Sequence, residues 1–125
     1  MGVDISMSMG WGIHIPQPQI DSWLEGNDPD EEGADELLND LIYRENSELT
    51  FEYAGNAWVG EDNGFVIYAK DTYKDFDMGR SAEAGVYRAP KTAMSLKARY
   101  ELDAVSKTIT GKHLPIEWLV TVGVS

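Results

Sequence analysis

The stretch Val3-Asp4-Ile5-Ser6-Met7-Ser8-Met9-Gly10-Trp11-Gly12-Ile13-His14-Ile15 decides how the rest of the chain is read. Every odd position is apolar and every even one is small or polar. Side chains alternate across a strand with a period of two, so this segment predicts a long strand with one wholly apolar face. That face needs a covering layer. The Ser and Gly face is too small-sided for a core and would admit the close approach of a neighbouring chain or ligand.

Working outward, Pro16-Gln17-Pro18-Gln19 removes two backbone donors and ends the ladder, and Ile20 to Leu24 reads as a short helical turn. Gly26 to Gly33 is a polar, acidic loop expected to be mobile. Ala34, Leu37, Leu38, Leu41 and Ile42 fall at helical spacing, predicting a helix from about Ala34 to Arg44 with Asp35 and Glu36 in its first turn. Leu49 to Tyr53 alternates as a second strand. Gly55-Asn56 and Glu61-Asp62-Asn63-Gly64 carry turn chemistry on either side of the short apolar piece Ala57-Trp58-Val59. Phe65 to Ala69 is apolar on both faces, the mark of a central strand, and is read as running on toward Phe76. Asp77 to Ala89 is read as a loop. A helix is expected from about Lys91 to Val105, with Ala93, Leu96, Tyr100 and Ala104 on one face after Pro90. Thr108 to His113 is a connection, and Ile116 to Val124 alternates as a last strand, placing both terminal strands in one sheet.

The expectation is a single α+β domain over residues 1–125: a mostly antiparallel sheet of about four strands with two helices on one face, a two-layer sandwich. A chain of 125 residues with 42% hydrophobic content builds such a core without staples, and the absence of Cys removes disulfides, thiolate metal sites and thiol nucleophiles. No apolar run approaches the ~20 residues of a membrane helix, so no membrane contact is expected. The opening Met1-Gly2-Val3-Asp4-Ile5-Ser6 matches a myristoylation pattern, but no basic cluster follows to supply the second anchor, and a soluble, intracellular protein is expected.

The net charge of −12 is lopsided: through Gly64 there are fifteen Asp or Glu against Arg44 alone, and from Phe65 onward seven acids against nine Lys or Arg. Direct nucleic-acid binding by the first half is therefore excluded, because phosphate contacts need cations. The acidic block then has two readings: a solvated face that keeps a small protein soluble, or a docking surface for a basic protein, with Asp28, Asp30, Glu31, Glu32, Asp35, Glu36 and Asp40 as its residues and Glu45 beside them.

Other chemistry is weakly represented. Asp28, Asp30 and Glu32 take positions one, three and five of a calcium-type loop with Gly33 at six, yet the twelfth position is Asn39 rather than Glu, so no metal is assigned. His14 and His113 lack partners at catalytic spacing, no cofactor motif is present, and the chain reads as a non-enzyme. Gly55, Gly60 and Gly64 lack the Lys-Ser or Lys-Thr of a phosphate loop. The alternative is a small, nucleotide-like ligand held by Asn56, Trp58 and Gly60. A further alternative is an assembly protein, a homo-oligomer pairing through the Ser and Gly face of the first strand. Tyr53, Tyr68, Tyr73, Tyr87 and Tyr100 are read as core and rim residues.

Several stretches together resemble a family: Gly2-Val3-Asp4-Ile5-Ser6 running into Gly10-Trp11-Gly12-Ile13, the acidic linker, Phe51-Glu52-Tyr53-Ala54-Gly55-Asn56, Phe65-Val66-Ile67-Tyr68-Ala69-Lys70 and Trp118-Leu119-Val120. The chain is similar in these to small accessory proteins of tailed actinobacteriophages and their prophages. The resemblance implies a phage protein acting in the cytoplasm of a bacterial host and supplies no functional residues; the lopsided acidity and the lack of a catalytic set then lead to the expectation of a non-enzymatic protein that binds a host protein, in takeover or anti-defence.

Overall fold

A computed structural model describes residues 5–43, 47–56, 59–77 and 94–124. The order is β1 (Ile5–Ile15), α1 (Gln17–Asn27), α2 (Ala34–Ile42), β2 (Leu49–Asn56), β3 (Glu61–Ala69), β4 (Lys74–Asp77), α3 (Leu96–Thr110) and β5 (Glu117–Val124). The α+β class and the mostly antiparallel sheet with helices on one face are as expected. The described elements number five strands and three helices rather than four and two.

β1 is the spine. One of its edges pairs antiparallel with β5 from Ile5↔Val124 to Gly12↔Glu117, so the terminal strands do share the sheet. Its other edge is divided: Gly12 to Ile15 pair with β3, and Ser6 to Met9 pair with β4. β3 and β4 both lie along this edge, but the strand expected to run on toward Phe76 is broken after Ala69 by a turn in which Thr72 N–H bonds the Ala69 carbonyl at 3.0 Å. β2 pairs along β3 and meets β5 in parallel at Gly55↔Gly123 and Asn56↔Val124. The pairings β1, β3, β2, β5 and back to β1 therefore close into a ring.

The odd face of β1 carries the main core. Ile13 and Ile15 pack with Phe65, Ile67 and Ala69 of β3, Leu49 of β2, Ile20 and Trp23 of α1, Leu38 and Ile42 of α2, and Ala98, Leu102, Val105 and Ile109 of α3. Trp11 and Trp118, directly opposed across β1 and β5, meet edge to face with ring centroids 5.8 Å apart. Such a pair adds roughly 0.5–1.5 kcal/mol beyond its burial.

The even face is a correction to the sequence reading. Far from being too small for a core, Ser8, Gly10 and Gly12 are buried, and the neighbour they admit is the chain's own Tyr68 and Tyr73. A Cβ on Gly10 would lie 2.9 Å from the Tyr68 ring and 3.2 Å from Tyr73 Cα, so only glycine leaves room there. Tyr68 is fully buried, with its hydroxyl bonded to Thr121 and reaching the Ser8 carbonyl at 3.4 Å. The Tyr73 ring lies 5.3 Å from it and donates its hydroxyl to Glu52. These side chains link β2 to β5 above the short stretch of backbone pairing between them. Ser8, Gly10 and Gly12 are thus covered by the chain's own side chains, while Ser6 and His14 on the same face stay exposed.

Four element boundaries also differ. Pro18 falls in the first turn of α1, where its missing N–H breaks no helical bond, so Pro16 to Gln19 opens an eleven-residue helix that takes in Gly26 and Asn27. Gly55 and Asn56 continue β2, and Glu61 to Gly64 belong to β3. Gly64 adopts φ +86 against the carbonyl of Ile15, which a Cβ would meet at 2.0 Å. α3 begins after Ser95, whose hydroxyl accepts Ala98 N–H at 3.1 Å, and continues to Gly111. Its buried stripe is Ala98, Leu102, Val105 and Ile109, whereas Leu96 and Tyr100, expected inside, are 73% and 74% exposed. α2 stops at Ile42, and the expected end at Arg44 lies outside the described residues. So do Glu45, Trp58, Tyr87 and the expected loop and helix start from Met78 to Ala93.

Candidate functional site

α2 is short, strongly two-sided and acidic. Leu38 and Ile42 are buried and Ala34, Leu37 and Leu41 half-buried, which turns Asp35, Glu36, Asn39 and Asp40 outward. Glu36 and Asp40 stand one helical turn apart. Like charges at that spacing cost an isolated helix about 0.2–0.5 kcal/mol, offset in part by the place of Asp35 and Glu36 in the first turn of α2. The α1–α2 connection adds Asp30, Glu31 and Glu32, all exposed. Among the described residues none of these carboxylates forms an ion pair, and His113 and Asp103, which do approach at 3.7 Å, lie toward the end of α3.

Asp28 has a different task from its neighbours. Its backbone N–H closes α1 on the Leu24 carbonyl at 3.0 Å. Its carboxylate accepts the N–H groups of Glu32 at 2.8 Å and Gly33 at 3.0 Å. Asp28 therefore fixes the turn between two helices and aims the surrounding acids outward. With both oxygens engaged by the backbone it is not presented as a calcium ligand, and among the described residues no three acids or histidines converge as metal ligands.

The acidic surface extends further than its sequence suggested. Tyr53 on β2 donates its hydroxyl to Asp62 and reaches the Glu61 carbonyl at 3.2 Å. The Tyr53 hydroxyl is pushed up to about 12, first by the bond to Asp62, then by burial and by the charges of Asp62 and Asp35. Glu61 and Asp62 are themselves exposed at the start of β3, and their link to Tyr53 was missed in sequence because nothing local pairs residue 53 with residue 62.

The hairpin gives the small-ligand alternative less. The Asn56 carbonyl accepts Val59 N–H at 3.3 Å and Gly60 adopts φ +69, the geometry of a tight turn. Trp58, the stacking residue of that reading, lies outside the described residues. The histidines are separate: His14 Nε2 is 2.7 Å from the Asn63 carbonyl, tying the end of β1 to β3.

No protein-family model matches this chain. No curated protein and no solved structure matches it either. No described helix is long and apolar enough to cross a membrane.

Proposed function

We propose that this protein acts by binding, without chemistry of its own, and that its acidic face docks onto a protein with a basic surface. The observation that carries the reading is the exposed set Asp30, Glu31, Glu32, Asp35, Glu36 and Asp40, held outward by α2 and the Asp28 clamp and free of ion pairs among the described residues. A concentrated negative surface steers a basic partner into encounter and competes with nucleic acid for it. Under the resemblance to phage accessory proteins, the partner is a host protein of the infected bacterium, such as a nucleic-acid-handling or defence factor, met in the host cytoplasm.

The test replaces Asp35, Glu36 and Asp40 together by Lys and compares retention of host proteins with that of the unaltered chain. All three side chains are exposed, so the far-ultraviolet circular dichroism should not change. Loss of a specifically retained basic protein, with weaker capture as salt rises, supports the reading. Equal capture by both chains removes the acidic face from the mechanism.

A further inference from the structure

We propose that Asn63 is a modification site, which loses its side-chain amide in the folded protein through attack by the backbone nitrogen of Gly64. Of the chain's five Asn residues only Asn63 precedes a glycine. Having no Cβ, Gly64 lets its own nitrogen come closer to the Asn63 side chain than any other residue would.

The fold leaves this pair outside the ladders on both sides. Tyr53 pairs with Phe65 and Gly55 with Asp62, so Asn63 and Gly64 together stand opposite Ala54. That is a bulge, and its glycine takes φ +86, the left-handed backbone that one common class of bulge uses. The register of β1 with β3 ends at Ile15↔Phe65, so neither residue has a Cα partner there either. The Asn63 side chain is exposed and makes no hydrogen bond among the described residues. It is therefore free to turn toward the Gly64 nitrogen.

His14 supplies the activation. Its Nε2 lies 2.7 Å from the main-chain carbonyl oxygen of Asn63. A carbonyl only accepts, so Nε2 carries the hydrogen. This carbonyl belongs to the same peptide group as the Gly64 nitrogen. When that nitrogen gives up its proton, the negative charge is shared with the Asn63 oxygen, and the His14 N–H stabilises it there as an oxyanion donor does. The nitrogen then bonds Asn63 Cγ, the bond from Cγ to Nδ2 breaks, and the departing nitrogen recovers a proton and leaves as ammonia. Water opens the resulting cyclic imide at either carbonyl, leaving aspartate or isoaspartate at position 63. The sum is one water consumed and one ammonia released. Gly64 is buried, but ring closure is intramolecular, and the exposed Asn63 admits water and releases ammonia. The product adds a carboxylate beside Glu61 and Asp62, and its formation does not depend on the acidic face docking to anything.

The test incubates the full chain at neutral pH, folded and in urea, and follows every Asn by peptide mass spectrometry, beside His14→Ala. The folded chain should convert Asn63 at least as fast as the chain in urea, while Asn27, Asn39 and Asn56 persist. A hydrogen bond of about 1 kcal/mol corresponds to about fivefold in rate, so His14→Ala should slow the folded chain by about that factor and leave the rate in urea unchanged. Circular dichroism shows whether His14→Ala is folded; if it is not, the comparison of the unaltered chain folded and in urea decides alone. Asn63 that stays intact in the folded chain while converting in urea, or folded chains that convert equally with and without His14, overturns the proposal.

Discussion

Tyr73 holds its hydroxyl on Glu52 beside the buried ring of Tyr68, and burial followed by the carboxylate's bond and charge raises its pKa above the usual 10. Tyr68 is raised as well, chiefly by burial, against the opposing bonds of Thr121 and Ser8. The native state therefore keeps these protons where the unfolded chain gives them up. Between the ordinary tyrosine value near 10 and the higher native values the unfolded state binds fewer protons, so stability falls as pH rises. The melting temperature should hold to about pH 10 and then drop, with a tyrosinate absorbance at 295 nm that for Tyr68 and Tyr73 appears only as the fold is lost. Ionisation of all six tyrosines near pH 10 in a still-folded protein would contradict this. Gly10 lies under the same rings. Gly10→Ala should lower stability by roughly 1–3 kcal/mol, measured by thermal or urea unfolding, because its Cβ meets Tyr73 backbone as well as the movable Tyr68 ring.

At the scale of elements, α3 rests on a cap that also serves as a joint. Ser95 accepts Ala98 N–H and donates to Glu48, while Glu101 accepts Glu48 N–H at 2.9 Å, so the helix start and the approach to β2 hold each other. Ser95→Ala should cost about 1 kcal/mol from the cap, and more in thermal unfolding than that because Glu48 also loses a donor. The sequence misleads here for a physical reason. Pro90, Leu96 and Tyr100 form a plausible helix start and stripe, but helical spacing recurs on more than one face, and tertiary packing selected Ala98, Leu102, Val105 and Ile109. β1 was legible because a period of two is unambiguous over its length. Its even face was not, since the residues that fill it, Tyr68 and Tyr73, lie far along the chain. α2 and its acids were legible for the opposite reason, charge and apolar residues alternating within one short segment.

For the molecule as a whole, periodicity predicted strands without naming their neighbours. The antiparallel character and the meeting of the terminal strands were readable, while the ring through β3, β2 and β5 depends on two rungs, Gly55↔Gly123 and Asn56↔Val124, that no local pattern announces. The candidate site divides the same way: Asp30 to Asp40 stood out as a run of charge, while the bond between Tyr53 and Asp62 required the fold. The position of β1 has a last consequence, for the order of events during synthesis. Among the described strands β1 comes first in the chain, yet β5, which pairs with it from Ile5 to Gly12, opens only at Glu117. Until then Met7, Met9, Trp11 and Ile13 have no complete sheet to join. Non-local pairing of this kind slows folding and prolongs exposure to aggregation, so the apolar face of β1 waits longest for its cover.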